Sequence, residues 1–196
     1  MTPIQKQTQR DTSDAVAGRS QKQKNRGSPP GTEIMKLPAQ LAPESVIALV
    51  DTREQLPLDL TPLRMESATL ATGDYTVKGL ESVVAIERKS LDDLLACVGR
   101  ERERFDREVM RLLAYPVRVL VVEASWPQIE FGQWRSQVKP EAVIGSLLSW
   151  QAQGLAVHMA HDHERAGKHV ARMLYQVAKR RYRELRNFVE HAEGFS

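Results

Sequence analysis

The chain has 196 residues, 41% of them hydrophobic and 27% charged, a composition typical of a globular domain. No apolar run approaches the roughly 18 residues that a membrane-spanning helix needs, and the N-terminus lacks the apolar segment of a signal peptide. The lone Cys97 excludes an internal disulfide and a zinc site built from cysteines, which favours a reducing, cytoplasmic-type compartment.

Positive charge is concentrated at the N-terminus. Residues 1–44 carry seven Lys and Arg against four Asp and Glu, which accounts for the whole net charge of +3 and leaves the rest of the chain neutral. Net charge therefore gives no argument that the folded part binds nucleic acid. Because residues 1–44 are rich in Gln, Lys, Ser, Thr and Pro, we predict a disordered basic tail there and one folded domain over residues 45–196. A solubilising role for the tail is favoured over contact with nucleic acid.

Short apolar runs in the folded part predict β-strands. They are bounded by Pro, Gly and charged residues, and several are rich in Val and Ile, which favour extended backbone. The strands are predicted in SVIALVD, in two extended pieces of MESATLATGDYTVKG, in ESVVAIERK, in VRVLVVEAS and in LAVHMA.

Helical patterns separate and follow these runs. Ser90 has the features of a helix N-cap, with Asp93 as its capping partner, and a helical region is predicted from Leu91 to about Tyr115, interrupted near Gly99. Further helices are predicted over residues 139–153 and from His163 to about Val189. The order β-β-β-α-β-α-β-α indicates an α/β domain with a mixed central sheet flanked by helices.

Four acids and a lysine lie at or beside predicted strand ends. They are Asp51, Glu54, Asp74, Glu87 and Lys89. Alternation along a strand places residues 87 and 89 on one face, so a carboxylate and an ammonium group point into the same site. Metal-assisted hydrolysis of a phosphodiester requires such oxygen ligands and a nearby cation. The pattern Asp…Glu-x-Lys alone is a weak signal and is more typical of a solvated strand end, because charged residues often flank strands.

Three motifs in sequence order make the pattern more specific. They read Val-Asp-Thr-Arg-Glu at 50–54, Gly-Asp-Tyr at 73–75, and Glu-Arg-Lys at 87–89 with Asp93. Over about residues 46–160 the chain resembles the nuclease domain of the XPF-type (ERCC4-like) structure-specific endonucleases. The resemblance implies a restriction-endonuclease-like core and cleavage of DNA, with branched, flap or junction-containing substrates.

The resemblance also implies a metal site for Mg²⁺ or Mn²⁺. Asp74 and Glu87 would be the main ligands, with the backbone carbonyl of Arg88 as a third. Asp51 and Glu54 would complete or extend the acidic pocket, directly or through water. All five residues match the family motifs.

The remaining motif residues would act on DNA or on the fold. Lys89 would be the catalytic lysine, and Arg53 would contact a phosphate or brace the acids. Arg88 is a candidate for DNA contact, and Asp93 suits helix capping as well as catalysis. Arg100 and Arg104 follow the motif on a predicted arginine stripe, which could contact phosphates or form surface ion pairs.

The sequence leaves two hypotheses of function open, and it also predicts an oligomeric state. The leading hypothesis is a metal-dependent DNA endonuclease, and the alternative is a DNA-binding or regulatory subunit without activity. The resemblance and the apolar stripes of the helices near 139–153 and 163–189 predict a homodimer or heterodimer. No membrane association is expected, and the predicted location is cytoplasmic, at the nucleoid of a prokaryotic or phage host or in a eukaryotic nucleus.

Overall fold

A computed structural model describes residues 37–192, which contain a mixed, six-stranded β-sheet. The strands are β1 (Ile47–Asp51), β2 (Arg64–Ala68), β3 (Tyr75–Val77), β4 (Val84–Ser90), β5 (Val117–Glu123) and β6 (Ala156–Met159). They lie in the order β2-β1-β3-β4-β5-β6, with β3 antiparallel to both of its neighbours and the other pairs parallel. The predicted mixed sheet is confirmed.

Four strands precede the first helix, one more than the predicted order. The two extended pieces on either side of Thr72-Gly73 each form a strand, and these strands, β2 and β3, lie on opposite sides of β1. The two predicted extended pieces are confirmed, but the predicted order counted them as one strand and was wrong in that count, because each piece pairs with a different edge of β1.

The helices are α1 (Leu91–Val98), α2 (Arg102–Leu112), α3 (Trp126–Glu130), α4 (Pro140–Ala152) and α5 (His163–His191). The Ser90 hydroxyl caps α1 by accepting a hydrogen bond from the Asp93 amide at 3.2 Å, as predicted. The predicted break near Gly99 is confirmed, since α1 ends at Val98 and α2 starts at Arg102. The short α3 was not predicted, although Ser125 and Gln128 form a capping box.

Helices cover both faces of the sheet and enclose two hydrophobic cores. On one face, α5 packs Val170 and Leu174 against strand residues that include Ile86. On the other face, α1, α2 and α4 bury a cluster that includes Phe105 and Trp150. Strands covered on both faces are expected to read as continuous apolar runs, which explains the composition of β4 and β5.

Close approach of α5 to the loop before β2 requires a glycine. A Cβ on Gly167 would lie 2.5 Å from the backbone oxygen of Asp59, a separation that a backbone atom cannot tolerate. Within residues 37–192, no helix combines the length and the apolar character needed to cross a bilayer.

Part of the predicted tail packs on the domain. The Tyr175 hydroxyl donates to the Leu41 carbonyl at 2.8 Å, and the Tyr182 hydroxyl donates to the Pro38 carbonyl at 2.5 Å. Leu41 also contacts the α5 core. Residues of the segment 37–44 therefore contact α5, and the domain boundary at residue 45 stays a prediction. The rest of the predicted tail, 1–36, lies outside the described residues.

Candidate active site

Pairing of β3 with β4 brings the Gly-Asp-Tyr and Glu-Arg-Lys motifs together. Asp74 directly precedes β3, and its amide donates to the Ile86 carbonyl at 2.7 Å. In return, the Arg88 amide donates to Asp74 Oδ2 at 2.7 Å. The Asp74 carboxylate is thus fixed beside the end of β4 that carries Glu87 and Lys89.

Gly73 allows this close pairing. Its φ of +77° is in the left-handed region that glycine adopts without strain, and a Cβ there would lie 3.0 Å from the Ile86 carbonyl oxygen. The glycine of the motif therefore sets the distance between Asp74 and β4.

Burial and mutual repulsion perturb the two carboxylates. Desolvation, followed by repulsion from Glu87, raises the pKa of Asp74 to about 7. Desolvation also raises the pKa of Glu87, against the attraction of Lys89. A buried Glu87 and a partly buried Asp74, which both resist ionisation, form a site in which a cation would be stabilised.

Lys89 lies on the same face as Glu87, as strand alternation predicts. Its ammonium group bonds to the Glu87 carboxylate and lies 3.3 Å from the Arg88 carbonyl oxygen. Burial disfavours the charged form, but Glu87 and Asp74 outweigh it and raise the pKa of Lys89. The group is therefore a fixed positive charge beside the two acids.

Asp51 is close to the site, but its oxygens are occupied. Arg53 donates to it through its amide at 2.8 Å, Nε at 2.6 Å and Nη2 at 3.0 Å, and the Leu70 amide donates at 2.8 Å. These contacts, led by the Arg53 side chain, lower the pKa of Asp51 to about 2. These contacts fix the Asp51 carboxylate against Arg53 and the loop at Leu70, and its predicted role as a metal ligand stays a prediction.

Glu54 and Arg88 form a separate ion pair on the other face of β4. The Arg88 side chain is 10% exposed and bonds to Glu123, with Glu54 at 3.4 Å. This placement does not support the predicted DNA contact by the Arg88 side chain, nor a direct role for Glu54 as a ligand. Glu123 was missed in the sequence, although an acid that ends a buried strand had been the signal for Asp51 and Glu87.

Exposed arginines are the candidates for contact with DNA. The Arg53 side chain is 71% exposed although it braces Asp51, and the Arg100 side chain is 82% exposed. Arg100 belongs to the turn before α2, so the predicted helical stripe does not include it. Arg104 pairs with Glu101 and is close enough to Glu87 to lower its pKa. A cleft of about 650 Å³ is lined by arginines that include Arg100, Arg104 and Arg107, together with Glu101 and Glu103.

The donor set fits a hard cation that keeps part of its water shell. Within residues 37–192, no three Asp, Glu, His or Cys side chains converge as a metal cage. Mg²⁺ in phosphoryl-transfer enzymes commonly uses one or two carboxylates and retains several waters. Asp74, Glu87 and the carbonyl of Arg88 match that requirement.

Comparison with known proteins agrees with the motifs. The ERCC4 domain family model matches residues 50–173. XPF from Aeropyrum pernix is similar in fold, with 19% identity and a TM-score of 0.54 over 72% of this chain and 69% of that chain. "XPF from Aeropyrum pernix, complex with DNA" matches with 19% identity and a TM-score of 0.55 over 69% of this chain and 66% of that chain.

A search of curated protein sequences returned no match. The likeness to the two solved structures, at 19% identity, shows the fold. The family model covers well over half of the chain, and its range includes all three motifs. The chain therefore belongs to the ERCC4 domain family and carries an XPF-type nuclease domain.

Proposed function

We propose that this domain is a divalent-metal-dependent endonuclease that hydrolyses phosphodiester bonds in branched or junction-containing DNA. The observation that carries the proposal is the convergence of Asp74, Glu87 and Lys89 at one end of β4. Two adjacent carboxylates and a fixed ammonium group are the parts that metal-assisted phosphodiester hydrolysis uses.

Mg²⁺ or Mn²⁺ would be held by Asp74, Glu87 and the Arg88 carbonyl. Bound there, the ion would polarise the phosphate and lower the pKa of the attacking water. The raised pKa values of both carboxylates support this assignment, because each gains a compensating charge when a cation binds. Asp51 would orient the neighbouring loops through its contacts with Arg53 and Leu70.

Lys89 supplies the fixed positive charge of the site. Its ammonium group can donate to a phosphate oxygen that gains negative charge in the transition state. The Phe105 ring lies 5.5 Å from Nζ and covers one side of the group, which limits its access to water. The reach of Nζ is therefore confined to the space beside Glu87.

The DNA backbone would run over the exposed arginines. Arg53, Arg100 and Arg104 are exposed and carry guanidinium groups that bind phosphate oxygens well. Arg53 and Arg104 also bond to Asp51 and Glu101, so they would offer phosphate the N–H groups that these acids leave free. The cleft lined by Arg100 and Arg104 is open and large enough for a phosphate group. One of the similar solved structures is of a complex with DNA, which supports DNA as the ligand.

The intact acids and lysine favour an enzyme over a non-catalytic DNA-binding subunit. A subunit that only binds DNA has no need for two adjacent carboxylates, one buried and one partly buried, because they repel phosphate and cost desolvation energy. The surroundings of Asp74 and Glu87 therefore argue for the catalytic role.

We also propose that the domain pairs with a second copy or a related chain. Most of the predicted apolar stripe of α4 is covered by its own sheet, with Val143, Leu147 and Trp150 fully buried. On α5, however, Leu185 is 52% exposed and Phe188 is 68% exposed. Light scattering during size-exclusion chromatography tests this: a single species near 22.1 kDa would contradict pairing.

Cleavage of a DNA panel tests the function. The purified chain is incubated with Mg²⁺ and end-labelled linear duplex, flap, fork and four-way junction DNA, with EDTA as the metal-free control. We expect cleavage of branched DNA that depends on the metal. A Glu130→Gln variant, which changes an exposed acid at the end of α3, serves as the matched control and should cut normally. Absence of cleavage on every substrate would contradict the proposal.

A further inference from the structure

Arg88 lies between the two active-site residues of β4, but its side chain is on the opposite face of the strand. Its Nε donates to Glu123 Oε1 at 2.8 Å, and its Nη2 donates to Glu123 Oε2 at 2.9 Å. Nη1 approaches Glu54 at 3.4 Å. A planar guanidinium held by two bonds to one carboxylate, and nearly shielded from water, is fixed in orientation.

The partners of Arg88 come from three separate segments. Glu54 lies in the turn after β1, Glu123 ends β5, and His163 begins α5. His163 Nδ1 is 2.6 Å from Glu123 Oε1, so an Nδ1–H that donates to this carboxylate satisfies both groups. This ion-pair cluster of Arg88, Glu54, Glu123 and His163 therefore joins β4 to elements far apart in sequence.

The backbone of Arg88 faces the active site. Its amide donates to Asp74 Oδ2 at 2.7 Å, and its carbonyl oxygen lies 3.3 Å from Lys89 Nζ. Any rotation of the Arg88 peptide groups would therefore move both contacts. The same residue is anchored by its side chain on one face and orients the reacting groups on the other.

We propose that Glu123, with Glu54 and His163, positions the active site by holding Arg88, an inference that rests on the proposed nuclease function. These three are positioning residues, because they act through the backbone of Arg88 and touch neither substrate nor metal. The cluster keeps the Arg88 amide directed at Asp74 and its carbonyl oxygen beside Lys89, where that oxygen would be available to a bound metal ion.

A Glu123→Gln variant tests the proposal. The amide keeps the shape and one acceptor, but it loses the charge and one of the two bonds to Arg88. Loss of a contact that orients a metal ligand typically lowers metal affinity or activity by about 10-fold to 100-fold. We therefore expect the Mn²⁺ dissociation constant, measured by electron paramagnetic resonance, to rise by about that factor and kcat to fall. The KM for DNA should stay unchanged.

Arg118→Gln is the matched control. Arg118 lies near the other end of β5, where its side chain donates to the carbonyl oxygens of Tyr115 and Gly154. Its loss removes two hydrogen bonds from the same strand without touching the cluster. We expect Arg118→Gln to lower stability and leave the Mn²⁺ dissociation constant at the wild-type value. Equal Mn²⁺ affinity and kcat in Glu123→Gln and wild type would overturn the proposal.

Hydrogen exchange of the Arg88 amide separates this proposal from the proposed function. The measurement needs neither metal nor DNA, so it reports on positioning even if the wild-type chain cuts nothing. We expect faster exchange of the Arg88 amide in Glu123→Gln than in Arg118→Gln, and a smaller effect of the same sign in His163→Ala, which keeps both carboxylates. Unchanged exchange in both cluster variants would refute the positioning role.

Discussion

Replacement of Asp74 by Asn should stabilise the metal-free protein at alkaline pH. The pKa of Asp74 is raised from 3.8 to about 7, so the folded chain retains a proton that the unfolded chain has lost. The contribution of this proton to the free energy of unfolding is complete below pH 3.8 and is lost as the pH rises towards 7. A pKa shift of about three units corresponds to a change of about 4 kcal/mol in the free energy of unfolding. Asn keeps a side-chain oxygen that can accept the hydrogen bond from the Arg88 amide, so the substitution should cost little stability through lost hydrogen bonds.

Urea unfolding in EDTA between pH 4 and pH 8 measures this effect. Asp74→Asn should match the wild type near pH 4 and exceed its free energy of unfolding by up to about 4 kcal/mol at pH 8. Added Mg²⁺ should then stabilise the wild type and leave the variant unchanged, because a ligand stabilises the state that binds it. A variant that is no more stable than the wild type at pH 8 would refute the reasoning.

Asp51→Asn is the control of opposite sign. The Arg53 side chain holds the pKa of Asp51 at about 2, so its ionised form stabilises the fold above pH 3.8 and this contribution is lost as the pH falls towards 2. The variant should lose about 2 kcal/mol or more at pH 8, since Asn cannot accept four hydrogen bonds. A gain in stability for Asp51→Asn at pH 8 would contradict the claim that the surroundings shift the pKa values of Asp51 and Asp74 in opposite directions.

Three further variants, two single and one double, test separate parts of the site. Lys89→Ala should slow single-turnover cleavage by about 10²-fold, a typical loss for one charged transition-state contact, and near-normal turnover would contradict the role. Gly73→Ala should cost about 1–3 kcal/mol in unfolding experiments, because alanine is strained at φ +77° and its Cβ would press on the Ile86 carbonyl; an unchanged midpoint would contradict this. Gln at both Arg100 and Arg104 should weaken DNA binding and lower its salt dependence by up to about two phosphate contacts, whereas an identical slope would indicate surface ion pairs.

Most of the fold follows from local patterns. Val- and Ile-rich runs predict the strands, and Ser90 and Gly99 mark the start and end of α1. The five-residue α3 lacks a periodic apolar pattern, so the prediction missed it. The positions of β2 and β3 on either side of β1 depend on long-range pairing, which the sequence pattern does not encode locally.

The candidate site, like the fold, has features that the sequence predicts and features that depend on tertiary contacts. Strand alternation predicted that Glu87 and Lys89 share a face. The same alternation places the Arg88 side chain on the opposite face, but the prediction of DNA contact by Arg88 did not take this into account. The four donors around Asp51 come from residues 53 and 70, and only the folded loops bring them together. Motif spacing can therefore identify which acids are present, whereas tertiary contacts decide which of them have free oxygens.

The most direct test of the central claim is single-turnover cleavage of a branched DNA by Glu87→Gln and the wild type in Mg²⁺. Glu87 is buried beside Asp74 and Lys89, so its loss removes a proposed ligand without changing an exposed DNA contact. DNA binding by both proteins is measured in EDTA as the control. We predict cleavage by the wild type, a rate at least about 10²-fold lower for the variant, and DNA binding by the variant that is no weaker than that of the wild type. Equal cleavage rates with Mg²⁺ would contradict it.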